Sequence, residues 1–274
     1  FSPYNRKLFG RSPQDIPVAD KLIAKRNAKV GSQGYNVDFY YPKQGGIQQI
    51  VEQMATGIDY RTLVSLRHLR YQEKRAFLRH YDTDPLEDRI EEMTYDYLIS
   101  TIPLNHLFRL MDSNIDDTLM HSSLHLWLLG VKARPSHAEK TWVYVPDERY
   151  GIFRYGFFSN VRPDMAPAGY SSVYVEINGT TKFSVSRYAQ ELLELGVIES
   201  TEDIVRQHYV HLPINYPLQS ALVPSLLEFL RKQDVISTGR YGAWRWSSMH
   251  EDILDARAQA TALYRTQYTA KELV

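Results

Sequence analysis

The sequence predicts an α+β protein (mixed α/β in the broad sense), with an antiparallel sheet flanked by helices. Three observations carry that expectation. Four aromatic and β-branched runs follow one another with Pro, Gly and Asp turns between them: LHLWLLGV (124–131), TWVYV (141–145), FRYGFFSN (153–160) and SSVYVEI (171–177). On either side, Leu, Ile and Val recur at helical spacing. The 274 residues are 43% hydrophobic and 12% aromatic, enough to fill a substantial core and to exclude disorder. The length suits two domains or one large one.

The elements follow in order. Residues 1–46 are rich in polar and turn residues and end FYYPKQGG. Ile47, Ile50, Val51 and Met54 then form the apolar face of a helix that Gly57 stops. Residues 60–95 carry dense charge and no glycine, and read as strands with a polar connection. Tyr95–Ile102 reads as a buried strand ended by Pro103, with a short helix over 104–111. Beyond the aromatic runs, Asn178-Gly179 predicts a two-residue hairpin turn into TTKFSV. Helices are expected at about 186–196, 201–208 and 219–232. VIST (235–238) is a short strand, GRYG a tight turn, and Ile253, Ala256, Ala260 and Leu263 predict a helix over 249–269. These changes of style divide the chain into segments 1–46, 47–112, 113–218 and 219–274.

Composition removes several functions. With 32 basic and 32 acidic side chains there is no surplus cation for general nucleic-acid binding. The absence of cysteine removes disulfides, thiolate catalysis and cysteine metal sites. No run approaches a membrane span and no signal peptide opens the chain, so a soluble cytoplasmic protein is expected. His121 and His125, on one helical face, or His208 and His211, three apart, offer two zinc ligands, but neither pair has a third at a recognised spacing, and packing or surface histidines explain them better. No nucleophile elbow, P-loop or Gly-x-Gly-x-x-Gly occurs. Asn178-Gly179-Thr180 is a glycosylation sequon that the hairpin reading already explains, and the charges at 87–92 read as a solvated face.

Two features point to a ligand. In VISTGRYGAWRWSSMHEDILDA a strand enters a glycine turn and then a helix, leaving backbone N–H groups unpaired. Such a place suits an anionic or carbonyl-bearing ligand, and equally an ordinary strand–helix connection with glycine caps. Tyr4, Arg26, Tyr144, Arg154, Tyr216 and Arg240 punctuate loops and strands, in a chain with 20 tyrosines against 10 phenylalanines. Arginine offers a planar fork of donors and tyrosine a ring with a hydroxyl, which together suit an anionic small ligand such as a nucleotide.

Four stretches resemble, in order, the UDP-galactopyranose mutase group of the amine-oxidase-like FAD superfamily. SPYNRKLFG is similar to that family's Pro-Tyr-Asn-x-Lys-x-Trp segment, and NVDFYYPKQGG to its Asn-x-x-Phe-x-x-Pro-x-x-Gly-Gly segment. WVYVPDERYGIFRYGFFSN is similar to its Trp-x-Tyr-x-Pro segment with an arginine ten residues after the tyrosine, and GRYGAWRW to its flavin-contacting turn. YDYLISTIPL is similar to the strand that returns to the flavin domain. The likeness spans about residues 3–260. It implies an antiparallel substrate-binding domain over 113–218. Segment 1–46 would contact substrate and flavin, 47–112 would be a partial FAD-binding domain, and 219–274 the C-terminal flavin-contacting strand, turn and helix.

The resemblance assigns roles residue by residue. Asn5 stands where the family contacts uridine, with Phe9 in place of its stacking Trp. Arg26 matches a substrate arginine with altered local spacing, and Asn36 an asparagine beside flavin and sugar. Tyr144, Arg154 and Tyr216 match residues that bind the diphosphate. Gly239, Arg240 and Gly242 match the flavin turn. Trp246 replaces a tyrosine, and Met249 and His250 replace an Asn-Gln pair at the helix start.

The implied activity interconverts pyranose and furanose forms of a nucleotide sugar through an adduct at flavin N5, with Arg154 and Arg26 offsetting the charge of departing UDP. Another FAD-dependent oxidoreductase of the superfamily and a non-catalytic binding fragment stay open as alternatives. The family's dinucleotide-binding unit, with its glycine fingerprint, precedes the Pro-Tyr-Asn segment, whereas this chain opens FSPYNRKLFG. The expected partners are therefore a UDP-sugar and an N-terminal FAD-binding segment, and this chain alone is expected to hold FAD weakly or not at all and to be inactive.

Overall fold

The computed structural model describes residues 2–15, 40–81, 89–113, 115 and 118–271. In chain order the principal elements are α1 (Ser2–Phe9), α2 (Gln48–Met54), β1 (Val64–Arg70), β2 (Arg75–His80), β3 (Ile90–Thr94), β4 (Leu98–Ser100), α3 (Leu104–Arg109) and β5 (Leu124–Lys132). There follow β6 (Trp142–Tyr144), β7 (Ile152–Phe157), β8 (Tyr170–Asn178), α4 (Val185–Glu194), β9 (Ile204–Leu212), α5 (Val223–Arg231), β10 (Val235–Ser237), α6 (Gly239–Gly242) and α7 (Met249–Lys271). They form two compact units, one of Phe1–Ile58 with His121–Tyr216 and one of Asp59–Met120 with Pro217–Val274. The changes of unit thus fall at 58/59, 120/121 and 216/217, and the helix at 48–54 belongs with the first unit.

The first unit is built on a five-stranded antiparallel sheet in the order β6-β7-β8-β5-β9. Alternation explains why: Trp127, Leu129 and Val131 of β5 and Val173, Val175 and Ile177 of β8 face one side and are fully buried. Tyr188, Ala189 and Leu192 of α4 pack into the same core. Burial of each large apolar side chain there stabilises the unit by about 1.5–3 kcal/mol. α4 starts where the Ser184 hydroxyl accepts from the Arg187 N–H.

Two expectations are corrected here. Residues 201–208 are not a helix: Thr201–Asp203 make one tight turn, closed by a Ser200–Asp203 capping box, and β9 then pairs with β5 from Ile204 to Leu212. The β-branched and aromatic content of IVRQHYVHL suits that ladder. Asn178-Gly179 does not turn a hairpin either, because no strand follows it before α4. Instead the Asn178 side chain accepts from the Thr180 N–H (2.9 Å) and hydroxyl (2.6 Å) and donates to the Lys7 carbonyl (2.8 Å). This folds the chain locally and fastens α1 to the sheet.

The second unit contains the antiparallel meander β1-β2-β3 and the parallel pair β4–β10. The strand expected over 95–102 narrows to Leu98–Ser100, and Pro103 occupies the N-cap of α3. Leu104, Leu107 and Phe108 of α3 and Leu230 of α5 are buried. No helix among the described residues is long and apolar enough to cross a membrane.

Candidate functional site

Strand register assembles the first cluster. Tyr144 lies opposite Arg154, and Arg154 lies opposite Glu176, so three neighbouring strands present one row on one face. A bulge between Ile152 and Arg154 re-aims the middle strand. Ile152 stays in the main core, whereas Phe153 joins Leu8 and Leu124 in a second cluster under α1, next to Arg154. Two residues along the same face, Tyr174 lies opposite Gly156. A Cβ on Gly156 would come within 2.5 Å of the Tyr174 ring, so glycine is what lets that ring lie across β7.

Arg154 grips Glu176 side-on. Its Nε donates to Oε2 and its Nη2 to Oε1 (2.7 Å), engaging two of the five guanidinium N–H groups. Glu176 is buried and the Arg154 side chain is 24% exposed. Burial works against the arginine's charge, but the hydrogen bonds and charge of Glu176 outweigh it and raise the pKa further. Tyr4 packs edge-on against Tyr144 (5.0 Å between centroids) and Phe153 (6.0 Å). Burial pushes the Tyr4 hydroxyl well above the usual phenol range, and pushes that of Tyr174 up to about 12. Both are neutral donors at physiological pH. Tyr216, half-buried against the α1 cluster, also bears on Arg154 electrostatically.

α1 holds the remaining assigned residues of this unit. Leu8 and Tyr4, one turn apart, face the sheet, and Asn5 and Phe9 are half-buried beside them. Lys7 anchors the helix by donating to the carbonyls of Val145 (2.7 Å) and Asp147 (2.9 Å), and burial lowers its pKa to about 8. Arg26 and Asn36 lie outside the described residues. Sequence reasoning passed over Glu176 and Tyr174. The available signal was a lone carboxylate inside an apolar strand, at the same parity as a tyrosine.

In the second unit the GRYG segment is a single helical turn, not an open tight turn. Gly239 adopts φ +76°, which favours glycine, and a Cβ on Gly242 would sit 2.9 Å from the Ser100 carbonyl oxygen. The Thr238 N–H donates to the same carbonyl (2.9 Å), and the Ser237 hydroxyl to the Gly242 carbonyl (2.8 Å). Arg240 folds back, with Nε and Nη2 both donating to the Ser247 carbonyl. Trp246 is half-buried in the loop so closed, and Met249 and His250 are exposed at the start of α7. His250 Nδ1 lies 2.9 Å from the Ser248 hydroxyl, and Glu251 accepts from the Ser248 N–H (2.8 Å). A helix's first N–H groups lie beyond its own i−4 carbonyls, so those of Met249 and His250 are disposed towards an acceptor outside the helix. Among the described residues the buried hydroxyls of Ser100 and Ser247 have no hydrogen-bond partner. Unsatisfied hydroxyls and close-approaching backbone at the carboxyl ends of a parallel strand pair fit a flat ligand with a polar edge, such as an isoalloxazine ring.

Among the described residues neither histidine pair is placed as two ligands of one ion. Residues 121–125 are not helical: His125 lies on β5, with Nε2 2.7 Å from the Thr181 carbonyl and Nδ1 2.7 Å from the Tyr209 hydroxyl. His208 and His211 sit at opposite parity on β9. Among the described residues no group of three or more His, Asp or Glu is placed to hold a metal ion.

No protein-family profile matches the chain. Among solved structures, reduced UDP-galactopyranose mutase superposes with a TM-score of 0.71 over 89% of this chain and 59% of that one, at 22% identity. A protein of Exiguobacterium sp. 255-15 assigned as a protoporphyrinogen oxidase gives 0.54 over 72% of this chain and 46% of that one, at 14% identity. The chain therefore has an FAD-oxidoreductase-like fold of mixed helices and antiparallel sheets, and spans 59% of the mutase's length.

Proposed function

We propose that the chain is part of a flavin-dependent enzyme resembling UDP-galactopyranose mutase, its first unit binding a UDP-sugar and its second contacting FAD. The observation that supports this most is the Tyr144–Arg154–Glu176 row with Tyr4, Tyr174 and Tyr216 about it. Cation, phenol donors and apolar rings suit a diphosphate joined to a flat base and a sugar. Bound FAD would supply the nucleophilic and redox centre for the covalent chemistry.

The chain's own residues position and neutralise. The Arg154 N–H groups not engaged by Glu176 donate to diphosphate oxygens, with Tyr144 and Tyr216 adding hydroxyls and Arg26 a second cation. Losing such a donor raises the barrier by roughly 2–4 kcal/mol. Asn5 and Phe9 receive the uracil. In the second unit, Gly239 leaves room for the ring's approach, and Gly242 seats the turn against Ser100. Ser100, Ser247 and the N–H groups of Met249 and His250 meet its polar edge, with Arg240 and Trp246 shaping the loop. Asn36, which the resemblance also assigns to the cofactor, belongs to segment 1–46.

A second reading, an amine-oxidase-like oxidoreductase whose substrate carries no diphosphate, is favoured by one observation: Glu176 cancels the charge of Arg154. The two readings separate in an assay of the protein with its flavin. The mutase reading expects UDP-galactopyranose and UDP-galactofuranose to interconvert only after dithionite reduction, with no consumption of oxygen. Oxygen-dependent turnover of an amine or other reduced substrate, without interconversion, would replace it with the second reading.

A further inference from the structure

We infer that Glu176 is a specificity-determining residue that sets how much negative charge the ligand of the first unit can carry. The inference deepens the nucleotide-sugar reading and rests on it. An arginine that receives a diphosphate ordinarily meets it as a free cation, yet here the guanidinium already has an internal anion. Glu176 is buried, lies directly opposite Arg154 on the next strand, and accepts from both Nε and Nη2. Such a side-on, doubly hydrogen-bonded pair fixes the guanidinium plane and leaves the pair without net charge. Among the described residues, the other groups that bear on Arg154 do not restore a charge: Tyr4 and Tyr216 are phenols, and burial opposes the ionisation of Tyr4 as it does that of neighbouring Tyr174. A ligand is then held by directed N–H and O–H donors and by ring contact, not by bulk Coulombic attraction. Free UDP carries one negative charge more than its sugar diester, so Glu176 biases the cleft towards the diester.

The test titrates the purified chain and its Glu176→Gln variant with inorganic pyrophosphate, UDP and UDP-galactose. Removing the carboxylate's charge while keeping its shape should tighten pyrophosphate about tenfold, the size of one added charge-assisted contact. The gain for UDP should exceed the gain for UDP-galactose. Glu176→Asp, which keeps the charge, should stay within about threefold of wild type. Wild-type affinity should also fall only shallowly with salt, a readout independent of any variant's folding. Pyrophosphate binding that is unchanged or weaker in a folded Glu176→Gln variant, or a steep salt dependence in the wild type, would overturn the inference. If pyrophosphate tightens while no version binds UDP or UDP-galactose, the charge-limiting role stands and the nucleotide-sugar reading fails.

Discussion

The two units position their candidate groups by different means. In the first, strand register does it: Tyr144, Arg154 and Glu176 share a face because they are opposite one another across β6, β7 and β8. In the second, the backbone does it: Gly239 takes a positive φ, Gly242 packs onto the Ser100 carbonyl, and Arg240 ties the loop to Ser247. A site made of side chains is sensitive to the identity of each. One made of backbone tolerates different side chains but not an added Cβ.

Substitutions can break the contrast in turn. Glu176→Ala should have the largest effect, because it leaves Arg154 three-quarters buried without its partner: about 3 kcal/mol, the low end for a broken buried pair because Arg154 keeps some solvent. Urea denaturation at constant m-value checks it. Next is Gly242→Val. The nearest atom to a new Cβ is a backbone carbonyl that cannot swing away, so a loss of roughly 2 kcal/mol is expected from overpacking, read as a lowered Tm. Arg240→Ala removes the donors to the Ser247 carbonyl and should cost about 1 kcal/mol, whereas Met249→Ala, at a side chain 47% exposed, should stay within about 0.5 kcal/mol. Equal effects of these last two would show that the loop does not depend on its arginine.

The smallest effect sharpens the picture of α1. Lys7 is depressed to about 8, so between that pH and the ordinary lysine value the unfolded chain binds more protons than the folded one. Stability relative to a Lys7→Met variant should therefore rise as pH increases through that window. A difference between the two proteins that is flat with pH would mean that Lys7 titrates normally and that its grip on Val145 and Asp147 is loose.

Much of the first unit was legible because buried strands alternate. Trp127, Leu129 and Val131, like Val173, Val175 and Ile177, announce both strand and inward face. β9 was not legible, and the reason is its place at the sheet edge: six of its residues, from Val205 to Tyr209 and His211, are exposed, so no apolar alternation marks it. The runs that hold Tyr144 and Arg154 were legible as successive strands. Their partner across the next strand was hidden, because pairing between β7 and β8 is non-local and passes through a bulge. In the second unit the glycines were readable as a turn, but what Gly242 packs against belongs to a strand more than a hundred residues earlier.

The central claim, that the tyrosine-lined row of the first unit receives a nucleotide sugar, is tested most directly by a crystal structure of the chain with UDP-galactose. The account predicts diphosphate oxygens within hydrogen-bond distance of Arg154 and of the Tyr144 or Tyr216 hydroxyl, with the uracil beside Asn5 and Phe9. Density for the ligand elsewhere, or a saturated crystal with the row untouched, would contradict it.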